Sequence, residues 1–342
     1  MNNFFGILAA NKNHNASSLE RKKPQLQTII ILISLILITV FFSLTSDNFL
    51  TSTNIIGILL STTINSLLAI GATYMIITGG IDLSLGTSMT LSAVMTGIFI
   101  VQWEIPLPIG ILMGILVGLM IGCFNGIMIT KMHLPPFIAT LGTQMATKGL
   151  SIVLTDGTPI YFTDYPIFKT ITSGSIIADM FEKIGIKFIR IPNGVLIMFI
   201  VAVVAGIVLG KTKLGRYLYA IGSNEEATRL SGVKVEKWKL IAYMIGGVMS
   251  GSAGVLISSR LNSAQPSLGV GYEMDAVAAC VIGGASLAGG EGSIFGTIIG
   301  AFIISVLTNG LRIMSVPTEW QTVVTGLIII GAVFADIIRK RR

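Results

Sequence analysis

A polytopic, all-α membrane bundle of about ten spans is the fold class this chain predicts, on three observations. Hydrophobic residues make up 52% of the 342 and charged residues only 11%, where soluble domains carry about 25% charged. Several apolar runs reach the roughly 20 residues that a crossing helix needs. The runs are continuous, which excludes a membrane barrel built of short alternating segments.

The elements follow in order. Residues 1–27 form a polar tail holding Lys12, Arg21, Lys22 and Lys23. The run 28–44 is longer than a signal-peptide core and has no small-residue cleavage site, so it is expected to remain as the first span. Further spans are expected near 55–78, 84–101, 107–129, 137–155, 193–210, 240–258, 272–288, 294–311 and 320–338. Together they make one membrane domain over 28–338, followed by the basic tail 339–342. The third span is short. The eighth runs into "GGASLAGGEGS" and is expected to be broken or re-entrant.

Glycine spacing predicts how the spans pack. Gly110, Gly114, Gly118, Gly122 and Gly126 recur every four residues in the fourth span, on one helix face, where small residues let a neighbouring backbone approach closely. Gly292, Gly296 and Gly300 repeat the device near the ninth span. An internal repeat also shows: "TGGIDLSLG" (78–86) and "IGGASLAGG" (282–290) share a glycine pair followed by Ser and Gly.

Sidedness comes from the basic residues. An even number of spans puts both ends on one side, with Lys131 and the 211–239 loop. That side holds sixteen lysines and arginines, against six on the other, so it is expected to be cytoplasmic. The net charge of +7 is explained this way without invoking nucleic acid. The 156–192 loop then lies outside. Its "IIADMFEKIGIKFIRIP" suits either a segment lying along the membrane surface or a solvated loop.

Enzymatic chemistry finds little support. "AGIVLGKT" (205–212) nearly matches a phosphate loop, but Ala205 replaces the first glycine and no strand precedes it. The two histidines, His14 and His133, lie outside the spans, and no His, Cys or carboxylate cluster suits a metal. Cys123 and Cys280 sit in apolar runs as small hydrophobes. Charge at membrane depth is the positive signal. Lys148, Asp275 and Asp82 fall within or beside spans, where charge is costly and faces a bundle interior or a watery path, unless it anchors a helix end or joins an ion pair. The glycine run with Gly283, Gly284, Gly289 and Gly290 is expected to line or gate that path.

The most polar loop carries helix signals. Ser223 and Glu226 fit a capping box. Glu225 sits where a helix start favours anions and Arg229 where its end favours cations. Gly232 stands at a left-handed C′ position. A two-turn helix near 224–231 is expected, too short to be stable alone, so something must pack on it.

Four stretches then carry a resemblance: "GGIDLSLGTSM", "GCFNGIMITKMHLPPFIATLGTQMATKGLSIVLTDGTPI", "GRYLYAIGSNEEATRLSGVKVEKWKL" and "DAVAACVIGGASLAGGEGSIFGTIIGAFIISVLTNGL". From about residue 45 onward the chain resembles the membrane subunits of bacterial ABC importers for sugars, the branch of the ribose, xylose, methylgalactoside and autoinducer-2 permeases. The resemblance implies a pore of two permease subunits, as a second copy or a paralogue, in the bacterial plasma membrane. It also implies two ATPase subunits holding ATP and Mg, and an external solute-binding protein. Ser223, Asn224, Glu225, Glu226, Ala227, Arg229, Leu230 and Gly232 resemble the family's "EAA…G" loop, which seats in the ATPase, with Thr228 in place of its second Ala. Lys148 stands where the resemblance implies arginine. It keeps the charge without the bidentate geometry. Two other functions stay open from the residues alone: an ion-coupled secondary transporter using Asp275 and Lys148, and a receptor or scaffold.

Overall fold

The computed structural model describes residues 28–182 and 190–341. The expected tail 1–27, Lys183, Lys187 and Arg342 lie outside the described residues. The first five helices are α1 (Thr28–Thr45), α2 (Ser52–Ile77), α3 (Leu85–Gly97), α4 (Leu107–Thr130) and α5 (Pro136–Val153). A strand, β1 (Ile160–Tyr161), and two short helices, α6 (Pro166–Ser173) and α7 (Ile176–Glu182), follow. Next come α8 (Asn193–Lys211), α9 (Lys213–Ser223), α10 (Glu225–Leu230) and α11 (Val235–Leu261). The chain closes with β2 (Ser263–Ala264), α12 (Tyr272–Ile282), α13 (Ile294–Ile313) and α14 (Thr318–Arg341).

The all-helical, polytopic class is the one expected. Among the described residues, seven helices are long and apolar enough to cross a membrane: α1, α2, α3 with its π-helical extension to Gln102, α4, α8, α11 and α13. The other three expected spans fall on α5, the 11-residue α12 and α14. "AGIVLGKT" runs from the last turns of α8 into its C-cap.

At the centre lies α2, with every residue from Thr62 to Ile77 buried, as suits a helix that is apolar all round. Most of its hydroxyls are satisfied within the helix, Thr62, Thr63 and Thr73 donating to carbonyls one turn earlier, while the buried Ser66 Oγ has no partner among the described residues. The glycine stripe on α4 packs as expected. A Cβ on Gly118 would strike the backbone of Gly247 and Gly251 in α11, and one on Gly122 would strike Tyr243 and Gly247. Further along the stripe, Gly114 faces Thr96 of α3. On α13, Gly296 and Gly300 lie against Gly283 and Ala279, the end of α12.

The expected eighth span is broken. α12 stops at Ile282 because Gly284 turns left-handed (φ 94). Ala285 N–H then returns to the Cys280 carbonyl at 2.9 Å and Gly284 N–H to Val281 at 3.0 Å. α2 ends in the same way. Gly79 has φ 77, with Gly80 N–H to Met75 at 3.1 Å and Gly79 N–H to Ile76 at 2.9 Å. Both are Schellman caps. The repeat seen in the sequence therefore exists in the backbone, but it is shifted by one residue: Gly79 corresponds to Gly284, not to Gly283.

The described part of the 156–192 segment is folded onto the bundle. β1 pairs antiparallel with β2, Ile160 opposite Ala264. Ser259 Oγ donates to the Phe168 carbonyl at 2.7 Å, and Thr172 Oγ1 donates to Leu256 at 2.9 Å. These bonds tie α6 to the end of α11.

Candidate functional site

Three turns meet at the end of the bundle that carries α10. Leu218 and Ile221 bury one side of α9, and its far end rests on both glycine turns. A Cβ on Gly222 would collide with the Ile77 carbonyl and the Gly290 N–H. Those two groups are themselves bonded at 2.9 Å. Tyr219 donates its hydroxyl to the Gly292 carbonyl at 2.7 Å. Gly289 (φ 86) faces the backbones of Gly222 and Gly79. The last turn of α9 is thus wedged against the end of α2 and the α12–α13 turn, with almost no side chain between.

From this wedge α10 projects. It covers Glu225–Leu230, one residue shorter at each end than expected. The cap also differs. Ser223 is the last residue of α9, so it cannot start the next helix. The chain turns extended at Asn224 (φ −160), whose Oδ1 accepts the Ala227 N–H at 2.9 Å. Asparagine caps as well as serine does, and this displaces the expected Ser223–Glu226 box by one residue. The C-terminal end is as expected. Gly232 has φ 83, and its N–H reaches the Arg229 carbonyl at 3.0 Å.

Charges brace α10 to α11. Glu225 accepts from Arg229 at 3.2 Å and from Lys239 at 2.5 Å, while Arg229 also reaches Glu236 at 3.0 Å. Burial alone would raise the Glu225 carboxyl, but Lys239 and Arg229 outweigh it and hold the group below its ordinary value. Around this braced frame Ser223, Asn224, Glu226, Ala227 and Gly232 are exposed, and Leu230 is 84% exposed. A braced helix therefore presents a bare leucine at its tip.

The charges expected at membrane depth have three different settings. Asp82 is buried and fully engaged. Its Oδ1 accepts Ser84 N–H at 2.7 Å and Ser84 Oγ at 2.6 Å, and its Oδ2 accepts Asn125 Nδ2 at 3.3 Å. Thr143 of α5 donates to Asn125 Oδ1 at 2.6 Å. This network joins the start of α3 to α4 and α5. Lys148 is not buried in the chain. It lies on the exposed side of α5, opposite the buried Thr140, Thr143, Thr147 and Ser151. A helix offers one face to its neighbours, and here the hydroxyls occupy it. Asp275 is half-buried and lines a cavity at the end of the bundle opposite α10.

Glu273 was not singled out in the sequence. It is buried, and Oε1 accepts from Gln144 of α5 at 2.9 Å and from the Gly271 N–H at 3.1 Å. Tyr219 and Gly222 were missed too. The spacing of Leu214, Leu218 and Ile221, apolar on one face of "KLGRYLYAIGS", was the signal for α9.

A family model described as the branched-chain amino acid transport system / permease component matches residues 54–333. The chain belongs to that permease family. It is 42% identical over 306 residues to the ribose import permease protein of Bacillus subtilis, covering 89% of this chain and 91% of the relative. It is 40% identical over 305 residues to the ribose import permease protein of Haemophilus influenzae, with the same coverage. It is also 36% identical over 376 residues to the xylose transport system permease protein of H. influenzae, covering 94% of this chain and 99% of the relative. No solved structure matches. The resemblance to ABC importer permeases carried by the four stretches is thereby borne out. The permease family and the seven apolar helices make this a multi-pass membrane protein.

Proposed function

We propose that the chain is the translocation-pathway subunit of an ATP-driven ABC importer for a small sugar or sugar-like solute. The ribose and xylose permeases among its relatives support the solute class. The observation that carries the coupling reading is the placement of α10: a braced helix with a bare leucine, standing on the two turns that end α2 and α12.

On this reading 28–338 is one domain crossing the bacterial inner membrane ten times, through α1–α5, α8 and α11–α14. The tails 1–27 and 339–342 and the 211–239 coupling loop face the cytoplasm, and 156–192 faces outside, following the basic count. ATPase subunits holding ATP and Mg receive α10. Leu230 and Ala227 bury in their cleft with Glu226 at its rim, while Glu225 and Arg229 keep the knob rigid. Burying one leucine contributes about 1.5–3 kcal/mol. Closure of the ATPases moves α10, and α9 passes the displacement to both glycine turns as a rigid body. Gly283, Gly284, Gly289 and Gly290 hinge the gate there, and Asp82 holds the α3 side of it in register. Lys148 faces the path or the second permease, because lipid is an expensive place for its ammonium. A solute-binding protein docks on the opposite face.

ATP-dependent uptake in proteoliposomes, with the co-encoded ATPase and binding protein, screened across pentoses, hexoses and nucleosides, tests this. Uptake of one class that stops when the ATPase is omitted supports it. Asp275, open to a cavity, is the observation that favours an ion-coupled secondary transporter instead. Uptake driven by an ion gradient without any ATPase would establish that alternative.

A further inference from the structure

The end of the bundle opposite α10 holds a cavity of about 490 Å³, within the size range of small-molecule sites. The helices α2, α11, α12, α13 and α14 all contribute to its wall, as does the segment before α12. Its charged and amide groups are Asn65, Arg260, Asp275, Arg312 and Gln321. Asn65 is committed, donating to Ser305 Oγ at 3.1 Å. Arg260 makes one bond, to Ser61 Oγ at 3.2 Å. Among the described residues neither arginine has an ion-pair partner, and the Asp275 carboxylate takes no hydrogen bond. Tyr272 and Ile329 supply apolar wall.

A carboxylate accepts at up to about four positions and a guanidinium donates five N–H bonds. Arg312 is exposed and Asp275 and Arg260 are half-buried, so water takes up that capacity until a ligand replaces it. We propose that this cavity binds a neutral, polyhydroxylated solute of monosaccharide size, as a station on the solute's route; this rests on the permease reading above. Gln321 is committed like Asn65, donating to the Val316 carbonyl at 2.8 Å. A hydroxyl both donates and accepts, so one edge of a sugar gives protons to Asp275 while accepting from Arg260 and Arg312. The Tyr272 ring covers the C–H face of the sugar. The lining carries both signs, two guanidiniums and one carboxylate. Hydroxyls satisfy both at once, whereas an anion serves only the arginines and leaves Asp275 unpaired, and an apolar solute leaves all three charges unpaired. The arginines and the aspartate thus select for hydroxyls, in a place where the binding protein's own selection has already been made.

The test uses the permease–ATPase complex in vesicles without the binding protein, with Thr322→Cys or Met274→Cys placed in the cavity wall and Cys123→Ser as background. A water-soluble methanethiosulfonate labels the new thiol in the presence of D-ribose, D-xylose or inorganic phosphate. The sugars are expected to slow labelling and phosphate is not. Adding Asp275→Asn is expected to raise the sugar concentration needed roughly ten- to a hundredfold, the factor for one lost charge-assisted hydrogen bond. Protection by phosphate alone, or none by either sugar at both positions while ATP-driven uptake with the binding protein is normal, overturns the cavity site and leaves the permease reading standing. Absence of ATP-driven uptake of any sugar by the unmodified full transporter overturns the permease reading itself.

Discussion

The α4–α11 seam and the α10 knob are both organised around glycine and end up opposite in kind. At the seam, Gly118 and Gly122 press on Gly247 and Gly251 until backbone meets backbone, and nothing is left to offer a partner. At the knob, Gly232 has no atom within 4 Å of a built Cβ. It serves only to turn the chain, and Leu230 stays bare. The seam is a finished surface and the knob an unfinished one. Exposed leucines on the long apolar helices suit lipid; one on a charged loop between them suits a protein partner. The α9 wedge links the two kinds of region, because Gly222 packs as tightly as the seam while sitting three residues before α10 begins.

Breaking the seam should do the most damage. Gly247→Leu overpacks a backbone contact, at about 3 kcal/mol or more. Membrane levels and thermal stability of the purified chain should both collapse; a well-expressed, stable variant would mean that the two helices can separate freely. Gly289→Leu comes next. It forces a left-handed residue, at roughly 1–2 kcal/mol, into the backbone of Gly222. The bundle should insert while uptake stops, and full uptake would remove the α12–α13 turn from the gate. Gly232→Val strains only the chain reversal, by about 1 kcal/mol or more. Membrane levels should stay normal while the ATPase no longer co-purifies, or hydrolysis no longer drives uptake.

Lys148→Met separates two roles that exposure alone does not. Insertion should be unaffected or improved, since a mid-membrane charge is removed, and uptake should fall. Unchanged uptake would make Lys148 an anchor that snorkels to the interface. The smallest effect is electrostatic. The Glu225 carboxyl lies below its ordinary value, so its pairing with Lys239 and Arg229 contributes fully above the unfolded carboxylate pKa. That contribution is lost as pH falls through the lower, folded one. Both partners are partly solvated, so less than about 1 kcal/mol is at stake. Glu225→Gln should remove the acid-side loosening of α10 seen by hydrogen exchange; an identical pH profile in the variant would assign the brace elsewhere.

Much of this contrast was legible in the sequence, because spacing and helix punctuation are local. A glycine every four residues names its packing face, and Gly232 names a helix end. Three things were not. The cap moved from Ser223 to Asn224 because α9 continues through Ser223, which depends on what Gly222 packs against. The repeat was visible, but its register was off by one, since the residue that must turn left-handed is set by where α12 runs out of partners. Lys148 looked buried by its position in a run, yet which side of α5 is covered follows from α3 and α4. Likewise Arg260 and Arg312 informed sidedness as isolated charges; only the folded chain brings them to one cavity with Asp275.

The central claim is that α10 is covered by a soluble ATPase, and thiol chemistry at its tip tests this most directly. With Glu226→Cys and Leu230→Cys in the assembled, transport-competent complex, both thiols should crosslink to the ATPase subunit and resist aqueous reagents, then become reactive when the ATPase is stripped away. Free labelling at both positions in a complex that still transports would contradict the account.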